Sequence, residues 1–291
     1  MPKRIRLIAN PISGGDARPR IQQAVTLLEQ AGAQVDLFLT GKRGDAREEA
    51  ARLPVEDYDL VLAAGGDGTL NEVANGLVGR GLPLAFLPLG TANVMALEMG
   101  IPLRVAAACR IALKGEARPV ALAAAGDDLF LMMAGIGFDA AAVRAVHHRI
   151  KHHTGKLAYV IAGLSALLSC RDQPLRLQSQ EGPSYKIYHA IISNIRYYGG
   201  RFLMAPNQGL EQPALTACLV ERPGRMALLL FFLRILLRGR LFGPVRRITS
   251  TSFRLDGGTV PVQVDGDDFG DTPLEIHSRP ACLDLIFPTK R

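Results

Sequence analysis

The chain has 291 residues, with 34 Lys and Arg against 27 Asp and Glu, a formal charge of +7, and 48% hydrophobic residues. That balance excludes a disordered, collagenous or coiled-coil chain, and at about 100–200 residues per domain the length predicts two globular domains with ample core. The modest positive excess favours anionic partners such as nucleotide phosphates or acidic lipid surfaces.

Along the first 120 residues, strand-like and helix-like segments alternate. Ile5 to Ala9 predicts a strand that runs into Asn10-Pro11 and a pair of glycines. Ile21 to Ala31 has helical spacing, Val35 to Leu39 reads as a strand and Ala46 to Leu53 as a helix. Leu60 to Ala64 predicts a strand leading straight into Gly65-Gly66-Asp67-Gly68, followed by a helix over Leu70 to Val78 and a strand over Leu84 to Leu87. This rhythm implies a parallel sheet with flanking helices. From Val120 onward short strand-like runs recur: Val120–Ala124, Leu129–Ala134, Lys186–Ser193, Leu215–Val220, Ile248–Leu255, Val260–Val264, Leu274–His277 and Cys282–Phe287. Helical stretches interrupt them near Gly155–Ser169 and Met226–Leu237. The expected architecture is therefore an α/β domain over residues 1–120 and a mostly antiparallel, sandwich-like β domain over residues 121–291, with a last strand that can return to the first domain.

Cys109, Cys170, Cys218 and Cys282 are scattered and form no C-x-x-C pair, which argues against a disulfide framework or zinc cluster and for a reducing cytosol. No apolar leader opens the sequence. The longest apolar run, Met226 to Leu237, is broken by Arg234 and falls short of the about 20 residues a bilayer span needs.

Three glycine-rich turns each follow a strand of the first half: Asn10-Pro11-Ile12-Ser13-Gly14-Gly15, Gly65 to Glu72, and Pro88-Leu89-Gly90-Thr91-Ala92-Asn93. In a parallel sheet these strand ends share one edge, where ligands bind. Glycines let the backbone approach a ligand, and successive N–H groups with a helix N-terminus favour phosphate. Ser13, Thr69 and Thr91 add hydroxyl donors. A single such turn can simply end a strand; three of them predict one phosphate-binding crevice. No G-x-x-x-x-G-K-[ST] is present, and Asn71 stands where the dinucleotide fingerprint wants Gly, which excludes the two standard nucleotide motifs. Asp67 would repel a bare phosphate, so it points to a cation or a hydroxyl proton, with a turn-forming or helix N-cap role as the alternative.

In this order and spacing the elements resemble the bacterial diacylglycerol kinase-like lipid kinases, relatives of diacylglycerol and sphingosine kinases. They are Asn10-Pro11-Ile12-Ser13-Gly14, Thr40 with Gly44-Asp45-Ala46, Gly65 to Glu72, Leu89 to Asn93, Gly135-Ile136-Gly137-Phe138-Asp139-Ala140, Gly155 to Tyr159, and Val264-Asp265-Gly266-Asp267. The resemblance implies an ATP-dependent kinase, with ATP in the cleft between the domains and a lipid alcohol such as diacylglycerol as acceptor. The expected ATP contacts are Asn10, Pro11, Ser13, Gly14, Thr40, Gly65, Gly66, Asp67, Gly68, Thr69, Asn71, Glu72, Thr91 and Asn93. Asp267 takes the position of the family's proton-accepting Glu, one methylene shorter. Asp67 and Asp139 are the expected Mg²⁺ ligands, Asp67 also being a candidate catalytic group. Asp139 and the Asp265-Gly266-Asp267 corner have helix-cap and hairpin readings beside the catalytic one. The family's acidic metal-binding stretch is reduced here to Leu210-Glu211-Gln212-Pro213-Ala214-Leu215-Thr216, so that site is expected to be weak or lost. An NAD kinase-like activity and a non-catalytic nucleotide-binding regulator are the alternatives.

His147, His148, His152 and His153 lie among Arg149, Lys151 and Lys156, a solvated basic patch rather than a zinc site. The tyrosines at 185, 188, 197 and 198 come with no RNA-module motif, so no nucleic-acid partner is expected. Met226 to Arg240, apolar with interspersed arginines, is the candidate for peripheral contact with the inner membrane face, or else a core helix with snorkelling arginines.

Overall fold

The computed structural model describes residues 2–149, 172–180, 182–237 and 244–289. The first half runs β1 (Arg4–Ala9), α1 (Arg18–Gln30), β2 (Gln34–Leu39), α2 (Asp45–Arg52), β3 (Leu60–Gly65), α3 (Asp67–Leu77), β4 (Leu84–Pro88), α4 (Val94–Met99) and α5 (Val105–Lys114). Its strands pair in parallel in the order β2-β1-β3-β4. β3 and β4 are buried throughout, as expected of parallel strands covered on both faces. α1 starts with Pro19 in its first turn and buries Ile21, Ala24 and Leu28, the stripe set by its 3.6-residue period.

The second half continues with β5 (Glu116–Ala125), β6 (Asp128–Phe130), β7 (Met133–Ile136), α6 (Phe138–Arg149), β8 (Leu175–Ser179), β9 (Ser184–Ile187), β10 (His189–Ser193), β11 (Tyr197–Tyr198), β12 (Phe202–Leu203), β13 (Leu215–Val220), α7 (Arg225–Leu236), β14 (Arg246–Ser250), β15 (Ser252–Gly257), β16 (Pro261–Val264), β17 (Asp267–Asp271) and β18 (Leu274–Phe287). An antiparallel sheet in the order β14-β13-β10-β7-β16-β17 faces a second layer built from β18, β15, β8 and β9 with β5 and β6. Phe130, Leu177, Phe253 and Ile276 from one layer meet Ile136, Ile192, Leu215 and Val262 from the other in a separate core. The α/β domain and the antiparallel sandwich are those expected from the sequence.

The two halves are joined by a ribbon. β5 pairs with β18 along most of its length, while the start of β18 pairs with β15 and its Leu285 pairs with Leu84 of β4. One sheet therefore runs through both domains. Alternation along β5 serves both cores: Val120, Leu122 and Ala124 enter the first, Ala123 and Ala125 the second. The expected boundary at residue 120 falls inside this strand.

Several expected strands are divided or merged. Leu129–Ala134 separates into β6 and β7, because Leu131 and Met132 leave the ladder and turn their amides toward Asp265. Lys186–Ser193 and Ile248–Leu255 each become two strands lying in different sheets, the chain changing layers at Tyr188 and Thr251. Leu274–His277 and Cys282–Phe287 are one strand, β18, with an irregularity between Arg279 and Leu283. The helical stretch at Gly155–Ser169, with Cys170, Lys151, His152, His153, Arg238 and Arg240, lies outside the described residues, as do the side chains of His147, His148 and Arg149.

Candidate functional site

The four parallel strands end on one edge, and their loops meet there. Asn10 donates its N–H to Ala64 O at 2.9 Å, and Thr40 N–H bonds Ala9 O at 2.9 Å, so each loop starts in register with its neighbour. The three glycine corners touch. Leu89 and Gly90 both donate to Gly65 O, at 2.7 and 3.1 Å. Gly14 (φ +62°) packs against Leu89 O so closely that no side chain fits. The Arg20 guanidinium clamps the first and third corners together, donating to Ser13 O and Leu89 O at 3.2 Å each.

A cleft of about 700 Å³ opens from this edge toward the second domain. Its first-domain wall carries Asn10, Pro11, Thr40, Gly68, Thr69, Asn71 and Glu72, all expected nucleotide contacts. Gly68 and Thr69 lie in the first turn of the 11-residue helix α3, where unpaired amides and the helix dipole favour anions. The same wall bears Arg18, Lys42, Arg43 and Arg47. The facing second-domain wall carries Asp128, Asp265, Asp267 and Asp268. The charge of the cleft is thus divided, with cations mainly on one side and carboxylates on the other.

The remaining expected contacts do not line this cleft. Ser13, Gly14, Gly65, Gly66 and Asn93 form the framework behind it: Ser13 and Asn93 are buried, and Asn93 Nδ2 donates to Gly90 O at 2.7 Å. Thr91 is exposed but outside the cleft wall.

The surroundings of Asp67 are specific. Its carboxylate, expected to face a metal ion or the acceptor hydroxyl, accepts the N–H groups of Val94 and Met95 at 3.0 and 2.9 Å. It caps the N-terminus of α4 while standing in the first turn of α3, a long-range contact distinct from the local turn or cap role considered from the sequence. Burial pushes its pKa up, against the pull of those amides. Asp139 is held in a similar way. Its carboxylate is held in the second domain by the Tyr198 hydroxyl and by Gln263 Nε2 (2.6 Å), and burial raises its pKa. Each oxygen of Asp67 accepts one amide and keeps a further acceptor site, and among the described residues no group of three or more His, Cys, Asp or Glu is placed to hold a metal. In the degraded acidic stretch, Glu211 pairs with Arg118 at 3.3 Å.

The Asp265-Gly266 corner is a tight hairpin between β16 and β17. Both residues have positive φ (+49° and +92°), the conformation that favours Asp-Gly. Asp265 also accepts the N–H groups of Leu131, Met132 and Met133, each at 2.9 Å. Burial, with the Asp67 charge across the domain boundary as a smaller cause, lifts its pKa to about 6. Gln263 donates to Asp139 and accepts the Gly266 N–H at 2.7 Å. The corner is held from both sides, and it presents Asp267 to the cleft. Asp267 Oδ2 accepts from Arg43 Nη2 at 2.7 Å, a bond that crosses from one domain to the other.

Sequence reasoning missed the cationic wall and Asn75. The Asn75 side chain donates to Leu129 O (2.9 Å) and accepts the Leu129 N–H (3.2 Å), extending the edge of β6 from α3. Lys42, Arg43 and Arg47 surround the Gly44-Asp45-Ala46 triplet already singled out, and their proximity to it was the available signal.

Comparison with known proteins completes the picture. A diacylglycerol kinase catalytic domain model matches residues 4–125, and a YegS C-terminal NAD kinase β-sandwich-like domain model matches residues 132–287. A Pseudomonas putida protein named "Probable lipid kinase YegS-like" is 33% identical over 278 residues, covering 92% of this chain and 90% of that one. The diacylglycerol kinase of Bacillus subtilis is 28% identical over 301 residues, covering 99% and 98%. The crystal structure of a Bacillus anthracis diacylglycerol kinase superimposes with a TM-score of 0.76 at 22% identity, over 99% of this chain and 97% of that one.

Proposed function

The chain belongs to the diacylglycerol kinase-like lipid kinase family, and from that premise we propose that it transfers the terminal phosphoryl group of ATP to the hydroxyl of a lipid alcohol of the diacylglycerol kind. The observation that carries this reading is the divided cleft: α3's N-terminal turn and a cationic wall face the Asp267 carboxylate across one cavity. Phosphoryl transfer asks mainly for positioning and for neutralisation of charge on the phosphates. The amides at Gly68 and Thr69, with Lys42 and Arg47, suit the phosphates. The acceptor hydroxyl enters from the second-domain side. Its proton passes to Asp267, its oxygen bonds to the γ-phosphorus, the bond from that phosphorus to the β,γ-bridging oxygen breaks, and ADP leaves. A divalent cation held by Asp67, whose oxygens each keep an acceptor site beside one amide bond, would supply further neutralisation of the phosphate charge.

An acceptor lodged in a bilayer has to be met at the surface. Among the described residues no helix is long and apolar enough to cross a membrane. α7 buries Leu228, Phe231 and Ile235 but leaves Met226, Leu229 and Leu236 exposed on another face, with exposed Phe202 as a further apolar residue. Arg222 precedes it and Arg225 opens it. An apolar face rimmed by arginines suits the headgroup layer of an anionic membrane, and α7 is the proposed seat for peripheral binding.

The test is transfer of label from γ-labelled ATP to diacylglycerol in phosphatidylglycerol vesicles, run beside NAD as acceptor. Label in the lipid supports the reading. Label in NAD alone, or ATP binding with no transfer to any lipid alcohol, overturns it.

A further inference from the structure

We propose that Arg43 is a catalytic residue of this chain, a clamp that grips the terminal phosphoryl group of the nucleotide with one part of its guanidinium while another holds Asp267. This rests on the phosphoryl-transfer reading above and adds a residue to it.

The proton acceptor must stand beside the attacking hydroxyl, and that hydroxyl must stand in line with the γ-phosphorus. A cation bonded to the acceptor is therefore within reach of the group being transferred. Arg43 bonds Asp267 through Nη2 alone. A guanidinium has five N–H donors in a flat fork, so four remain. Asp267 uses only Oδ2 in this pair, and Oδ1 accepts nothing from the described residues. That oxygen is available to the acceptor's proton while the other stays anchored.

The backbone under Arg43 is fixed although its side chain is exposed. Asp45 Oδ2 accepts the N–H groups of Gly41 and Lys42 at 2.8 and 2.9 Å, closing the loop. Gly44, in a left-handed conformation (φ +91°), then turns the chain into α2. The loop starts at Thr40, itself on the cleft wall. A second pair repeats the arrangement one helical turn on, with Arg47 Nη1 donating to Asp128 at 3.2 Å. Exposed ion pairs of this kind contribute little to stability, whereas charge-assisted bonds from a guanidinium to phosphate are strong and directional. A function in ligand binding accounts for an arginine here better than a function in holding the domains together. As the γ-phosphorus passes from the bridging oxygen of ADP to the lipid oxygen, and the lipid proton passes to Asp267 Oδ1, one rigid fork keeps base and phosphoryl group aligned.

The clamp touches only the terminal phosphate, so its removal separates ATP from ADP. Arg43→Ala is expected to weaken binding of a non-hydrolysable ATP analogue by about tenfold or more. ADP affinity stays within about twofold, and kcat falls at saturating ATP. Arg43→Lys, which keeps the charge and loses the fork, recovers part of the affinity and less of kcat. Calorimetric titration of both nucleotides into the full chain, with turnover measured in parallel, reads all three. Unchanged ADP binding also shows that the variant is folded. Equal weakening of ATP and ADP, or loss of neither, overturns the clamp. Failure of the wild-type chain to bind ATP overturns the kinase reading instead.

Discussion

Alanine placed at Gly90 and at Gly66 separates close backbone packing from mere glycine preference. A Cβ on Gly90 would stand 2.5 Å from Gly66 Cα, 2.9 Å from Asn93 Oδ1 and 3.3 Å from Gly66 N. Two of these neighbours are backbone atoms and cannot rotate aside. A Cβ on Gly66 would lie 3.5 Å from Gly90 Cα and 3.6 Å from Ser13 Oγ, ordinary contact distances, and Gly66 has an extended backbone that alanine adopts freely (φ −90°, ψ −174°). The same pair of corners thus tolerates a methyl from one side and rejects it from the other. Overpacking of this kind costs about 1–3 kcal/mol, and for a chain of this size each kcal/mol lowers the thermal midpoint by about 2–4 °C. Gly90→Ala should therefore melt about 2–12 °C below wild type, and Gly66→Ala within about 2 °C of it. Because the displaced corner backs the first turn of α3, Gly90→Ala should also bind ATP more weakly. Thermal scans with and without ATP measure both. Equal midpoints for the two variants would refute the reasoning.

Three further expectations concern buried carboxylates. Asp67→Ala leaves the Val94 and Met95 amides without an acceptor and should lose about 1–3 kcal/mol; Asp67→Asn, which keeps one acceptor, should fall between it and wild type, and a different order of midpoints removes the capping role. Asp265, lifted to about 6 by burial, holds a proton that the unfolded chain releases near pH 4, so its contribution is full below pH 4 and is lost as pH rises toward 6. Across two pKa units that is about 3 kcal/mol. Urea midpoints from pH 4 to 7 should fall for wild type relative to Asp265→Asn, and parallel curves would contradict this. Arg196→Ala takes the cation and the Nε bond (3.0 Å) from Glu98, which is 6% exposed, and leaves it the backbone N–H of residue 196 (3.0 Å). Burial already raises the Glu98 pKa, so the loss, about 1–3 kcal/mol because a backbone donor remains and the arginine is partly exposed, should be larger at pH 8 than at pH 5, and a pH-independent deficit would count against it.

Much of this was legible from residues alone. The apolar runs before Asn10, Gly65 and Pro88 name the parallel strands, and the glycines after them name the edge where they converge. Asp-Gly at 265–266 reads as a tight corner, which it is. What stayed hidden depends on partners far along the chain. Nothing near Asp67 in sequence shows that α4, twenty-seven residues on, offers two amides to its carboxylate. Asp139 sits in a glycine-rich turn much like the three corners of the first domain, yet Tyr198 and Gln263 take its oxygens. Arg43 is one cation among many until the fold sets it against residue 267. Strand breaks at Tyr188 and Thr251 were invisible for a similar reason: a change of sheet leaves the β pattern almost continuous.

The strand that finishes the first sheet is also among the last residues of the second domain to be synthesised. Until Leu283 to Phe287 leave the ribosome, β4 has an open hydrogen-bonding edge, and β5 has only the short β6 beside it. Exposed apolar edges of this sort invite pairing with other chains. The nascent α/β domain must therefore wait, uncapped, for the whole sandwich to be translated, and a polypeptide truncated after residue 125 should aggregate rather than behave as an independent module.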